Sequence, residues 1–248
     1  MSAPLRRLPR KNPILRTTLP TLPPAARSRI GQGLTAGATR GRLELQRCEA
    51  CGTLQYPPRE ACRSCLSTDL PWREIDGGGE LMSETVLRHA QELFFRERMP
   101  WRLGLVRLDA GATVVAHIHQ DCAAPPARVR VVSALDRAGQ GVLVATPEGS
   151  AGLGDDPKLR DMTCDPGRRK VLVTDAKSAV GQALVKALAD AGAETIWAGV
   201  AEPWKNPPGF DALATLPNVT LVPLDVTDSQ SVRELAAEIG FKVDILVN

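Results

Sequence analysis

Aromatic side chains are scarce in this sequence: four Trp, four Phe and a single Tyr among 248 residues. Such a set offers few platforms for stacking bases, which argues against single-strand nucleic-acid binding. No run of 18 or more apolar residues occurs, and the opening MSAPLRRLPRKNP lacks the apolar stretch of a secretory signal. We therefore expect a cytoplasmic chain with no membrane contact. Acid is nearly missing from residues 1–47, where ten Lys or Arg stand against Glu44 alone; that segment carries +9 and the remainder −6. The basicity belongs to an arm, and its natural reading is a solvated segment packing on a partner, with an anion contact as the alternative.

What is present divides into five stretches. Residues 1–45 are the basic arm; six prolines argue against one long helix, leaving room for a short one near residues 25–38. Residues 46–69 hold four of the six cysteines. Residues 70–148 read as five short strands, GELMSETVLRH, WRLGLVRLDAG, TVVAHIHQD, ARVRVVSALD and QGVLVATPE, separated by Gly, Pro and Asp turns. That count and spacing fit a small β-barrel of the OB type. Residues 149–168, with four glycines and two prolines, read as a linker. From residue 169 strands alternate with amphipathic helices, the pattern of a parallel, Rossmann-like α/β half-sheet with right-handed crossovers. In its first helix Val180, Leu184, Ala187, Leu188 and Ala191 recur at helical spacing and should face the sheet. The fold class expected is multidomain: zinc ribbon, OB-type barrel, then the half-sheet.

The segment CEACGTLQYPPREACRSC places Cys48 and Cys51, then Cys62 and Cys65, in two C-x2-C knuckles ten residues apart. Each knuckle turns two thiolates toward one point, and two knuckles complete the four-sulfur tetrahedron that Zn²⁺ favours. Structural zinc is the expected cofactor, with a rubredoxin-type iron site or free thiols as the alternatives. Four thiolate ligands leave no position for a catalytic water. Cys122 and Cys164 have no such partner and read as small buried or linker residues. His117 and His119 fall two apart on a strand and so share a face; with no third ligand candidate nearby, ordinary surface or groove packing is the natural reading, and a metal or acid–base role the alternative.

RLELQRC, QYPPREAC, LPWREIDGGGELMSETVL and VRLDAG together resemble the zinc-ribbon and OB-fold family found beside thiolases and other acyl-CoA enzymes. The resemblance covers roughly residues 25–148 and implies that the four cysteines are zinc ligands. It implies a non-catalytic subunit whose partner is a thiolase-like enzyme, an aldolase or a hydratase, with a CoA thioester at hand. Trp72, Phe94, Phe95 and Trp101 are the aromatics of the expected barrel, Phe94 and Phe95 falling in a loop. With so few, and with net acidity, nucleic acid is not expected as a partner.

From Lys170 the chain resembles the first half of a short-chain dehydrogenase/reductase. VTDAKSAVG stands where that family has T-G-x-x-x-G-x-G, LDVTD follows the third strand, and VDILVN stands before N-N-A-G. Thr174, Gly181 and Asp225 are the retained positions of a cofactor site. Asp175 and Ala179 replace the glycines that let the chain turn and approach a pyrophosphate, and Asp175 adds charge of the wrong sign, which Lys177 offsets in part. The family's Tyr-x-x-x-Lys pair is absent, since the only tyrosine is Tyr56 in the ribbon. NAD(P) is therefore not expected to bind, and the half-sheet should lack chemistry of its own. The other reading makes this chain the first part of a fused NAD(P)-dependent reductase of 3-oxoacyl or 3-hydroxyacyl thioesters. The edge strand between Val243 and Asn248 calls for cover by self-association, a partner or further residues.

Overall fold

A computed structural model describes residues 21–149, 152–202, 204–205, 209–240 and 243–248. Residues 1–20 of the basic arm lie outside the described residues. The chain divides into two compact units, Met1–Asp165 and Pro166–Asn248. No helix among the described residues is long and apolar enough to cross a membrane.

The first unit begins with a 3-10 turn, Arg29–Gly31, capped by the Ser28 side chain, and helix α1, Gln32–Thr39. Strands β1 (Glu44–Arg47), β2 (Leu54–Gln55) and β3 (Trp72–Glu74) form an antiparallel sheet ordered β2-β1-β3. The barrel follows as β4 (Gly78–Leu87), α2 (Leu93–Arg96), β5 (Trp101–Leu108), β6 (Thr113–Ile118), β7 (Ala127–Leu135) and β8 (Gly141–Pro147). It closes in the order β4-β5-β6-β8-β7, with β7 returning to pair with β4 and a parallel contact between β6 and β8. This is the five-stranded, OB-like barrel expected from the strand count.

Period-2 alternation decides which side chains fill it. On β6 Val114, Ala116 and Ile118 point inward while Thr113 and Val115 are exposed. The inward residues share one hydrophobic cluster with Leu43, just before β1, and with Leu45 and Leu54 of the three-stranded sheet. Ribbon and barrel thus have a common core rather than two separate ones. Helix α1 lies on β7 and β8, and Gly141 permits it: a Cβ there would sit 2.8 Å from the Leu34 and Thr35 backbone. The freed space lets the Gly141 N–H donate to Thr35 Oγ1 at 2.9 Å.

A second cluster covers the barrel from outside. Phe94, Trp101, Val142, Val144, Leu153, Leu159 and Met162 are buried together. Phe94 and Phe95, expected in a loop, form helix α2 instead, packed edge-on with ring centroids 5.2 Å apart. The stretch read as a linker supplies Leu153, Leu159 and Met162 through a 3-10 turn, Leu153–Asp155, and helix α3, Pro157–Met162. Asp156 caps α3 by accepting from the Lys158 and Leu159 N–H groups, and Pro157 occupies the first turn. Thr163 then bridges to Asp136 at the end of β7.

The second unit alternates β9 (Lys170–Val173), α4 (Ala179–Asp190), β10 (Thr195–Val200), α5 (Asp211–Ala214), β11 (Val219–Pro223), α6 (Ser229–Ile239) and β12 (Ile245–Val247). All strands are parallel, in the order β11-β10-β9-β12. The buried face of α4 meets the expected one only at Leu188, which packs against the cluster of this unit. Gly181 and Val185 are buried, whereas Val180 is 69% and Leu184 37% exposed and Ala187 and Ala191 face solvent. Gly181 sets the phase: a Cβ there would lie 1.8 Å from the Asp175 carbonyl oxygen, so this residue alone can face the loop that closely.

Because Met162 is wholly buried against the barrel, Met162→Ala should destabilise the first unit by about 2–5 kcal/mol. Urea denaturation followed by tryptophan fluorescence checks this; a residue in a free linker would show almost no change.

Candidate functional site

The four cysteines sit on two copies of one turn. In the first, Gly52 N–H donates to the Cys48 carbonyl (2.8 Å) and Cys48 N–H to that of Thr53 (3.0 Å). In the second, Leu66 N–H donates to the Cys62 carbonyl (3.0 Å) and Cys62 N–H to that of Ser67 (2.8 Å). The residue after each pair adopts a left-handed backbone, Gly52 at φ 73° and Leu66 at φ 63°. A buried amide pair fixes the second turn to the sheet. Gln55 Nε2 donates to Gln46 Oε1 at 3.2 Å, and the Arg59 and Arg63 N–H groups donate to Gln46 Oε1 and Gln55 Oε1 at 2.8 and 3.1 Å. Sequence reading missed these glutamines; their adjacent placement on the first hairpin was the available signal.

The geometry brings the sulfurs together. Cys48 Sγ lies 3.5 Å from Cys65 Sγ, Cys51 Sγ lies 3.6 Å from Cys62 Sγ, and all four fall within 4.8 Å of one another. Four sulfurs each about 2.3 Å from a common tetrahedral centre would stand roughly 3.8 Å apart, so the donor set fits a zinc ion. Among the described residues no other group of three or more His, Cys, Asp or Glu ligand atoms is so placed. Crowding splits the thiols. Hydrogen bonding to Thr53 pulls Cys51 down to about 6. Cys65 is pushed up to about 12, because the Cys51 and Cys48 sulfurs and burial outweigh the lowering hydrogen bond from Ser67. Four charged thiolates at this spacing require a cation among them.

The remaining candidates are tied up in packing. His117 stacks on Phe95 with centroids 6.0 Å apart, and its Nδ1 accepts from Trp101 Nε1 at 2.8 Å. Desolvation pulls its imidazole down to about 4, with the Arg27 guanidinium adding to the shift. His119 is fully buried, with Nδ1 accepting from the Asp121 N–H at 3.2 Å. The turn that follows it is clamped by Arg102, which donates to the carbonyls of His119, Gln120 and Cys122 while its fork holds Glu84 at 2.7 and 2.8 Å. Cys122 donates to the Ala145 carbonyl, and burial raises its thiol to about 11, which favours the protonated form at neutral pH. Cys164 is exposed, its thiol donating to the Asp136 carbonyl at 3.1 Å.

In the second unit Thr174 follows β9, Gly181 lies in the first turn of α4 and Asp225 follows β11 beyond the intervening β10, all on the C-terminal side of the sheet, where open α/β sheets bind ligands. Thr174 Oγ1 donates to Asn248 Oδ1 at 3.0 Å. Asp225 Oδ1 accepts from the Thr227 N–H (2.8 Å) and hydroxyl (2.6 Å), and these bonds hold its carboxyl below the usual range.

Comparison with known proteins meets this geometry in the first unit. Residues 35–71 match the family described as the ChsH2 rubredoxin-like zinc ribbon domain, and residues 72–133 the ChsH2 C-terminal OB-fold domain. A probable enoyl-CoA hydratase alpha subunit of Thermomonospora curvata is 37% identical over 81 residues, 33% of this chain and 25% of that protein. A DUF35 domain-containing scaffold protein of Methanocaldococcus jannaschii is 30% identical over 77 residues, 31% of this chain and 53% of that protein. The chain thus spans a quarter and about half the length of these curated relatives. A solved chain titled Ltp2-ChsH2(DUF35) aldolase aligns at 29% identity and a TM-score of 0.43, over 49% of this chain and 97% of that one. Two family models thus match the ribbon and most of the barrel of the first unit, over residues 35–133.

His117 gives a pH signature. Its folded-state value near 4 lies below the unfolded value of about 6.5, so the unfolded chain binds the proton first as pH falls. Stability should be full above pH ~6.5 and drop by about 1–3 kcal/mol toward pH 4 from this residue. NMR titration of the His117 ring should show no midpoint above pH ~5; a midpoint near 6.5 would contradict its sequestration.

Proposed function

We propose that residues 25–148 form a non-catalytic, zinc-stabilised subunit that docks on a thiolase-like acyl-CoA enzyme, with the thioester chemistry done by the partner. The observation that carries this reading is the closed four-sulfur site on a ribbon that shares its core with the barrel. A zinc held by Cys48, Cys51, Cys62 and Cys65 would neutralise thiolate charge and hold the two knuckles together, and would offer substrate no coordination position. The barrel supplies no reactive alternative: His117 is held neutral by Trp101 and its neighbours, and Cys122 is held protonated. The relatives support the same direction, one named as a hydratase subunit and one as a scaffold. Nothing in the described barrel presents the stacked, exposed aromatics of a single-strand binder, since Phe94 and Trp101 are buried. The site of action is the cytoplasm.

The second unit accompanies this subunit as a dehydrogenase-like half-domain without catalytic groups. Its edge strand β12, where Leu246 is 62% exposed, takes cover from a second copy, a partner or additional residues. A second reading, favoured by the parallel order β11-β10-β9-β12, makes the chain the opening part of an NAD(P)-dependent 3-oxoacyl or 3-hydroxyacyl thioester oxidoreductase. It requires a Tyr-x-x-x-Lys further along the parent reading frame.

Co-expression with a thiolase-like protein encoded beside it should yield one stoichiometric complex on size exclusion. Cys62→Ser should lose both the metal and the complex, while Lys186→Ala, on an exposed face of α4, should keep both. Consistently separate elution, with no effect of a CoA thioester on thermal stability, would sink the docking reading.

A further inference from the structure

The loop between β9 and α4 opens onto the crevice at the C-terminal edge of the second sheet. In a dinucleotide-binding chain this loop turns backbone N–H groups toward a pyrophosphate, and the end of the second strand meets the ribose. Here both positions are filled by the chain itself. Asp175 Oδ1 accepts from the N–H groups of Lys177 (3.2 Å) and Ser178 (3.3 Å). The Gly181 N–H is engaged by Ser178 Oγ at 3.0 Å. A carboxylate of the loop therefore takes the amides that a phosphate oxygen would use.

The second closure crosses the crevice. Lys177 Nζ donates to the Ala201 carbonyl at 2.6 Å and to the Glu202 carbonyl, both just beyond β10. This ties the β9–α4 loop to the β10–α5 loop over the ground a ribose would cover. The acid that stands there, Glu202, is itself paired with Lys205 at 2.8 and 2.9 Å. Asp225, on the next strand end, is bonded to Thr227. Every charged group named at this edge is thus satisfied within the unit. Opening it to a ligand would break internal bonds at several positions at once.

We propose that Asp175 and Lys177 close this crevice against nucleoside diphosphates from within: Asp175 occupies the phosphate seat and Lys177 straps the two flanking loops. Occupancy, and not charge repulsion alone, is the mechanism, because the carboxylate is bonded to the loop amides. The two causes separate cleanly in substitution. Asn at this position keeps the acceptor and loses the charge, whereas Gly loses both and restores the sharp turn.

The test is titration of ADP and of NADH into the full chain by calorimetry. The native chain and Asp175→Asn should show no saturable binding. Asp175→Gly should bind ADP and NADH saturably, and adding Lys177→Ala should tighten that binding further. Equal gains in Asp175→Asn and Asp175→Gly would overturn occupancy, and micromolar NADH binding by the native chain would overturn the closure itself. Folding of the variants does not limit the test, because amide exchange reads the native chain directly. The Lys177 and Ser178 amides should be protected there, and free exchange at both would contradict the proposal.

Discussion

Four cysteine sulfurs held within 4.8 Å of one another are the constraint on which the first unit depends. Strands of four and two residues cannot fix two knuckles by hydrogen bonding alone, and four thiols so crowded resist sharing one charge state. A tetrahedral cation resolves both problems. The consequence extends past the ribbon, because Leu43, Leu45 and Leu54 point from it into the cluster that fills the barrel. Burial of a leucine such as Leu45, 1% exposed, is worth about 1.5–3 kcal/mol. Metal geometry, ribbon register and barrel end are therefore linked through one core.

That linkage shapes what the molecule can do. A site saturated by sulfur offers no water to activate, and His117, His119 and Cys122 of the barrel are held by packing and hydrogen bonds. The outer layer of Phe94, Trp101 and Met162 covers one side of the barrel with the chain's own helices. On the proposed reading, function is then a matter of surfaces and partners. The second unit follows the same logic by another route, since its ligand edge is filled with internal hydrogen bonds where a dinucleotide fold would leave donors free.

Sequence reading reached the strong, local signals. Two C-x2-C knuckles have one economical geometry, five alternating segments have few ways to close, and the β-α-β rhythm after residue 169 admits only a parallel sheet. It failed where tertiary packing overrode local grammar. Gly and Pro around residues 149–168 suggested a linker, yet Asp156-Pro157 is a helix start, and Leu153, Leu159 and Met162 had a surface to cover. Phe94 and Phe95 lay between strands and read as loop, although adjacent aromatics seldom stay in water. On α4 the periodicity was right and its phase wrong, because the close approach at Gly181, not the average hydrophobicity, fixes which face turns inward. The charge of Asp175 is legible in the sequence, but the loop amides its carboxylate holds depend on how the backbone turns there.

The claim that the first unit is closed by metal and does no chemistry there is tested most directly by X-ray absorption at the zinc edge of the purified full chain. One zinc per chain with four sulfur neighbours at about 2.3 Å and no oxygen or nitrogen neighbour is the predicted result. A shell containing a water or nitrogen ligand, or a folded first unit that binds no zinc, would contradict it.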